Sequence, residues 1–200
     1  MPGLIESHAH LSIDDVDDLG KIGMIPPEEN TLLAMRVARD YLDYGITSCI
    51  SAAAAKPRID VVISGDTFVP HAPSHSTVMS EAEVAAAAEV VHAHGKRMSA
   101  HARSAESVKL CVRHGVKIIY HANFADEEAL DLLEEHRDQL FVSPNIGFTV
   151  VAAYESSEWF TEQQVVEFGF REELAGAIKG VRELRKRGWR LRRWGRHYRS

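Results

Sequence analysis

Three times along this chain a helix-like stretch stops at a glycine and a strand-like stretch begins at once. Residues 31–44 carry apolar side chains at helical spacing (Leu32, Leu33, Met35, Val37, Ala38, Leu42) and end before Gly45, with the β-branched run 46–51 behind it. Residues 80–94 open on Ser80 and Glu83, the pattern of a capping box, and stop at Gly95 ahead of the strand candidate 96–102. Residues 105–114 read as a helix ended by Gly115 and followed by a strand at 116–122. Asp126 is placed to cap a helix reaching about residue 136, residues 140–143 read as a strand, and a last helix at 172–187 closes at Gly188. The chain opens on residues 3–10, an apolar run that ends in polar residues. Alternation of this kind predicts the α/β class: parallel strands side by side, with the helices packed outside them. It breaks between residues 51 and 80, where a Pro- and His-rich stretch offers no helix.

Two hundred residues suffice for one core, and 45% hydrophobic with 26% charged content argues against a disordered chain. One domain is expected over residues 1–188, followed by an irregular tail at 189–200. No apolar run approaches the ~18 residues of a membrane span, and the N-terminus lacks the features of a signal peptide. Cys49 and Cys111 are isolated, without CxxC spacing, which fits a reduced, cytoplasmic setting and marks neither as a zinc ligand or nucleophile. The net charge of −6 is unevenly spread. Residues 182–200 hold nine Lys and Arg against one acidic residue, a local +8 that leaves −14 on the other 181 residues.

Histidine is the unusual residue, 11 of 200. His8 and His10 are two apart at the end of the first strand, so both rings lie on one side of it. His101 and His121 each fall at the C-terminal end of a predicted strand, 20 residues apart with one helix between them. Successive parallel strands would bring these two close together, at the sheet edge where α/β proteins place their chemistry. Four imidazoles suit zinc or a similar divalent ion. A lone strand-end histidine is more often a hydrogen-bonded loop residue, and the weight lies in the combination. His92 and His94 supply a contrast: the same HxH spacing on a helix, where i and i+2 do not face one another. His114 is expected at a helix C-terminus, and His71 and His75 in a loop.

The stretches "PGLIESHAHL", "GITS", "SGD", "HGKRMSAHARS", "GVKIIYHANFADEEALDLL" and "FVSPNIGF" together resemble the amidohydrolase superfamily, within it the imidazolonepropionase-related and prolidase-like hydrolases. The resemblance covers nearly all of residues 2–188. It implies a (β/α)8 barrel of the TIM type, one or two divalent ions, commonly zinc, and attack of metal-bound hydroxide on an amide or other C–N bond. His8 and His10 match the family's first-strand HxH, and His101 and His121 its histidines on strands 5 and 6.

Members of that family carry a lysine on strand 4 and an aspartate on strand 8, for which this chain offers no counterpart, and "PGLI" follows a further segment in them. The expectation is therefore an incomplete barrel: internally deleted near residues 63–64, without strand 8, and ending in a tail that reads like a shifted frame. Asp66 is the acidic candidate for proton transfer, and Arg103 and Asn123, each two residues beyond a metal-type histidine, are candidates for substrate contact. The partner expected is a small molecule, with exposed strand edges favouring self-association. The alternatives are a remnant that binds metal without turnover and, lower, nucleic-acid binding through the Arg- and Trp-rich tail, which the acidic body opposes.

Overall fold

The computed structural model describes residues 3–13, 24–51, 61–62, 73–144, 146–155 and 160–189. Asp66, His71 and the tail from residue 190 onward lie outside the described residues. The chain divides into two compact units, Met1–Val62 and Ile63–Ser200.

The first unit contains strand β1 (Leu4–Ala9), helix α1 (Pro27–Asp43), strand β2 (Ile46–Ser51) and the two-residue strand β3 (Val61–Val62). Pro27 sits at the start of α1, where its missing N–H costs nothing, and Glu28 and Glu29 place negative charge at the positive end of the helix. Gly45, in the left-handed region at φ 79°, ends the helix and hands the chain to β2. Strands β1 and β2 pair in parallel, Leu4 opposite Ile46 and Ala9 opposite Ser51, with irregularities after Leu4 and after Glu6. The buried Asn30 of α1 donates from Nδ2 to the carbonyl of Ser12 at 2.9 Å, so the segment after β1 is tied to the helix.

The second unit holds most of the core. Its elements are α2 (Glu81–Ala93), β4 (Ser99–Ser104), α3 (Ala105–Arg113), β5 (Ile118–Phe124), α4 (Glu127–Glu135), β6 (Phe141–Ser143), α5 (Ile146–Val150), a π-helical turn (Val151–Glu155), α6 (Glu162–Glu167) and α7 (Phe170–Lys186). Strands β4, β5 and β6 lie side by side, all parallel, in chain order. From Ala100 to Ser104 and from Ile119 to Asn123 every residue is buried, so these strands are covered on both faces, as helices on the two sides of a parallel sheet require. Helix α3 turns Val108, Leu110, Cys111 and Val112 inward. A second apolar cluster joins Ala152, Ala153, Val165, Phe170 and Leu174, with the rings of Phe160 and Phe170 5.2 Å apart.

The caps are those the side chains dictate. Ser80 and Glu83 form both halves of a capping box, Ser104 accepts from the amide of Ser107, and Asp126 accepts from that of Ala129 at 2.8 Å. Gly95, Gly115 and Gly188 have positive φ where the sequence predicts helix ends. The expected α/β class is thus found, as parallel strands alternating with helices. No helix among the described residues is long and apolar enough to cross a membrane.

Candidate functional site

Within the first unit, His8 and His10 stand at the end of β1 with ring centroids 5.0 Å apart and planes at 70°. Both are half-buried. The amide of His8 donates to Glu6 Oε1 at 2.9 Å, which turns that carboxylate toward the strand end. The i, i+2 spacing does what it predicts here: two imidazoles share one side of the chain.

Within the second unit, His101 on β4 and His121 on β5 are both buried, and Nε2 of His121 lies 2.7 Å from Nδ1 of His101. The contact is less simple than two equivalent strand positions. Register pairs His101 with Tyr120, and His121 with Ala102. Opposed residues of a regular parallel pair point to the same face, so an undistorted β5 would send His121 to the face opposite His101. Instead the register slips: an advance of two positions along β4, from Ala102 to Ser104, matches an advance of three along β5, from His121 to Phe124. The extra residue is accommodated by left-handed backbone at His121 (φ 81°) and Ala122 (φ 52°). A bulge of this kind re-aims a side chain, and here it brings the His121 ring against that of His101, centroids 4.7 Å apart.

Beyond the histidines lies an ion pair the sequence reading did not include. Arg103 Nε donates to Glu173 Oε1 at 3.0 Å, and Asn123 Nδ2 donates to the same oxygen at 2.8 Å. Arg103, Asn123 and Glu173 are 3%, 4% and 1% exposed. Charges so dry need a partner, and each supplies the other's. The signal for Glu173 was present in the sequence. It falls on the inner stripe of α7, with Phe170, Leu174, Ala177 and Leu184, where a carboxylate breaks an otherwise apolar spacing. Asn123 Oδ1 has no hydrogen-bond partner among the described residues, although it is buried.

The remaining histidines separate from these pairs. His92 and His94 are exposed at the end of α2, the latter contacting the carbonyl of Val90 at 2.8 Å. His114 closes α3 and lies 3.3 Å from Glu81, while exposed His75 meets the edge of the Phe124 ring.

The donor set suits a divalent cation. His101 and His121 bring two imidazoles together at the ends of adjacent strands, and imidazole nitrogen is a good ligand for such an ion. His8 and His10, within the first unit, are a separate pair of the same ligand chemistry.

Residues at the C-terminal ends of parallel strands stand where α/β folds place their sites. Comparison with solved structures agrees at the level of fold. The chain superimposes on an amidohydrolase with TM-score 0.72 and 18% identity, over 96% of this chain and 64% of that one. A prolidase complexed with N-methylphosphonate-L-proline matches at TM-score 0.71 and 19% identity, over 96% of this chain and 64% of that one. The ochratoxinase of A. niger matches at 0.68 and 15%, over 94% and 61%. The chain thus spans under two thirds of the length of these neighbours. No protein-family model and no curated protein matches the sequence.

Proposed function

We propose that this chain is a hydrolase of C–N bonds in small molecules, amides, cyclic amides or dipeptides, working through water activated by one or two divalent ions, zinc first among them. The observation that carries the reading is the buried His101–His121 pair at the ends of adjacent parallel strands, in a fold shared with an amidohydrolase, a prolidase and an ochratoxinase. In this reading His8, His10, His101 and His121 hold the metal through neutral imidazole. A divalent ion held there would supply a Lewis acid, able to bring a bound water's pKa down toward neutrality and to polarise a carbonyl.

The chain's own residues supply the rest. Burial of His101 and His121 keeps bulk water from competing for their nitrogens. Asn123 Oδ1, buried and without a protein donor among the described residues, suits an N–H of the substrate. Arg103 brings a cation to the same strand ends for a substrate carboxylate or carbonyl, with Glu173 balancing its charge. Asp66 is the candidate to carry the proton from water to the leaving amine. The setting proposed is a reduced, cytoplasmic one, which two cysteines without CxxC spacing support.

Elemental analysis of gel-filtered protein tests the reading, beside His8→Ala/His10→Ala and His101→Ala variants. About one or two zinc ions per chain, lost in both variants, with release of proline or free amine from a dipeptide and N-acyl amide panel, is the expected result. Soluble wild-type protein that takes up no divalent metal would overturn it.

A further inference from the structure

We propose that Glu173 is a positioning residue: from α7 it locks the bulged His121–Asn123 segment and thereby fixes where the His121 ring meets His101. The inference rests on the metal reading only for its functional consequence; its structural content stands on the contacts alone.

Two consecutive non-glycine residues with positive φ, His121 and Ala122, form a strained stretch that persists only where its surroundings over-determine it. One face of α7 supplies those surroundings. Gly176 lies so close that a Cβ there would come within 2.5 Å of the Asn123 carbonyl oxygen, and at Gly180 one would come within 3.3 Å of that of Ala122. Glu173, one turn before Gly176 on the same face, receives the Asn123 side chain and also Arg103 of β4. One carboxylate oxygen therefore joins the bulge of β5, the end of β4 and the helix above them. An apolar residue at position 173 would fill this inner stripe with no charge to desolvate, so the carboxylate is not explained by packing. What it does supply is a fixed acceptor for Arg103 and Asn123, which stand two residues beyond His101 and His121. Groups of this kind, behind a ligand rather than on the metal, commonly alter metal affinity by 10–100-fold.

The test uses the full chain, first without metal. Amide hydrogen exchange is followed in wild type, in Glu173→Gln, and in the pair Arg103→Met/Glu173→Leu, which removes both charges together and so guards against simple failure to fold. Exchange over residues 121–124 should quicken at least tenfold in both variants, while α2 and β6 exchange as in wild type. The double variant should regain the melting temperature but not this protection. Unchanged exchange, or a rise spread evenly over the second unit, would overturn the inference. Zinc affinity is then measured by competition with a chromophoric chelator. An affinity reduced roughly tenfold in Glu173→Gln, with a shifted visible spectrum of the Co2+-loaded protein, is expected. An affinity equal to wild type overturns the functional half. Wild type that binds no zinc overturns the hydrolase reading instead, and the exchange data then decide on Glu173 alone.

Discussion

Removing one member of a dry ion pair costs more than the pair contributes, because the survivor is left charged in a place that cannot hydrate it. Arg103 and Glu173, with side chains 4% and 1% exposed, are such a pair. Glu173→Ala should lose about 3–5 kcal/mol in urea unfolding, and adding Arg103→Met should recover much of it. A loss under ~1 kcal/mol would mean water reaches the guanidinium. Gly176 gives a second prediction at this scale, of unusual sign. In a helix interior Gly→Ala ordinarily stabilises, by about 0.4–1 kcal/mol. At Gly176 the added methyl would meet the Asn123 carbonyl oxygen at 2.5 Å, a backbone atom that cannot swing away. Gly176→Ala should therefore destabilise, by about 1–3 kcal/mol, and Gly180→Ala by less, since its nearest contact is 3.3 Å. Thermal melts of the two variants check the order. The histidines were legible in the sequence because HxH and strand-end spacing are local patterns. The bulge that makes His121 meet His101 was not, since nothing in "IYHANF" marks two non-glycine residues for positive φ. Such strain is imposed by a helix some 50 residues away in the chain, as the Asn123–Glu173 bond shows.

Elements follow from their ends. Asp126 caps α4 and also accepts from Lys109 of α3 at 3.0 Å, so one carboxylate serves a helix start and a link between neighbouring helices. The Ala129 amide, and after it Lys109, hold the Asp126 carboxyl below the usual carboxylate range. A depressed carboxyl stabilises the fold at pH above its unfolded value of ~3.9, and that contribution is lost as pH falls through the lower folded value. Lys109 is shifted the other way, its pKa raised by Glu128 and then by Asp126. Its contribution is present below the unfolded value of ~10.4 and fades as pH climbs through the folded one. Asp126→Ala should cost about 1 kcal/mol at neutral pH. Asp126→Asn, which keeps a capping oxygen, should cost less and should flatten the acid limb of the stability curve. If the two variants melt together at pH 7, the cap is not what Asp126 provides. Glycine stops and capping residues made most helices legible, to within a few residues at each end. Residues 96–98, read as strand from their place after Gly95, instead lead into a strand that begins at Ser99. The turns between Ile146 and Glu167 were not read, because short helices carry little periodicity. Thr161 and Gln164 nevertheless form a capping box, whose T-x-x-Q pattern stands in the sequence.

At the scale of the molecule, the division between units at residues 62 and 63 falls inside the stretch where the β-α alternation breaks. Alternation is a property of neighbours in the chain; it fixes the class of fold and says little of how many strands a sheet gathers. The two cysteines happen to report on the two units separately. Cys49 of β2 is exposed, whereas Cys111 of α3 is fully buried and burial pushes its thiol pKa up, so in the folded state it presents neither access nor thiolate. A disulfide reagent should modify one thiol promptly and the other only as fast as the second unit opens. Cys111 belongs to the helix that follows β4, the strand bearing His101, and the opening that exposes it also dismantles the His101–His121 pair. A ligand held by the folded form alone stabilises it by RT ln(1 + [L]/Kd), about 2.7 kcal/mol at a hundred times Kd. In a Cys49→Ser background, free zinc at that excess should therefore slow labelling of Cys111 about 100-fold. His101→Ala should abolish the effect while leaving the metal-free rate within reach of wild type. Labelling that zinc leaves unchanged, in protein shown to bind zinc, would mean the ion sits on histidines other than those of β4 and β5.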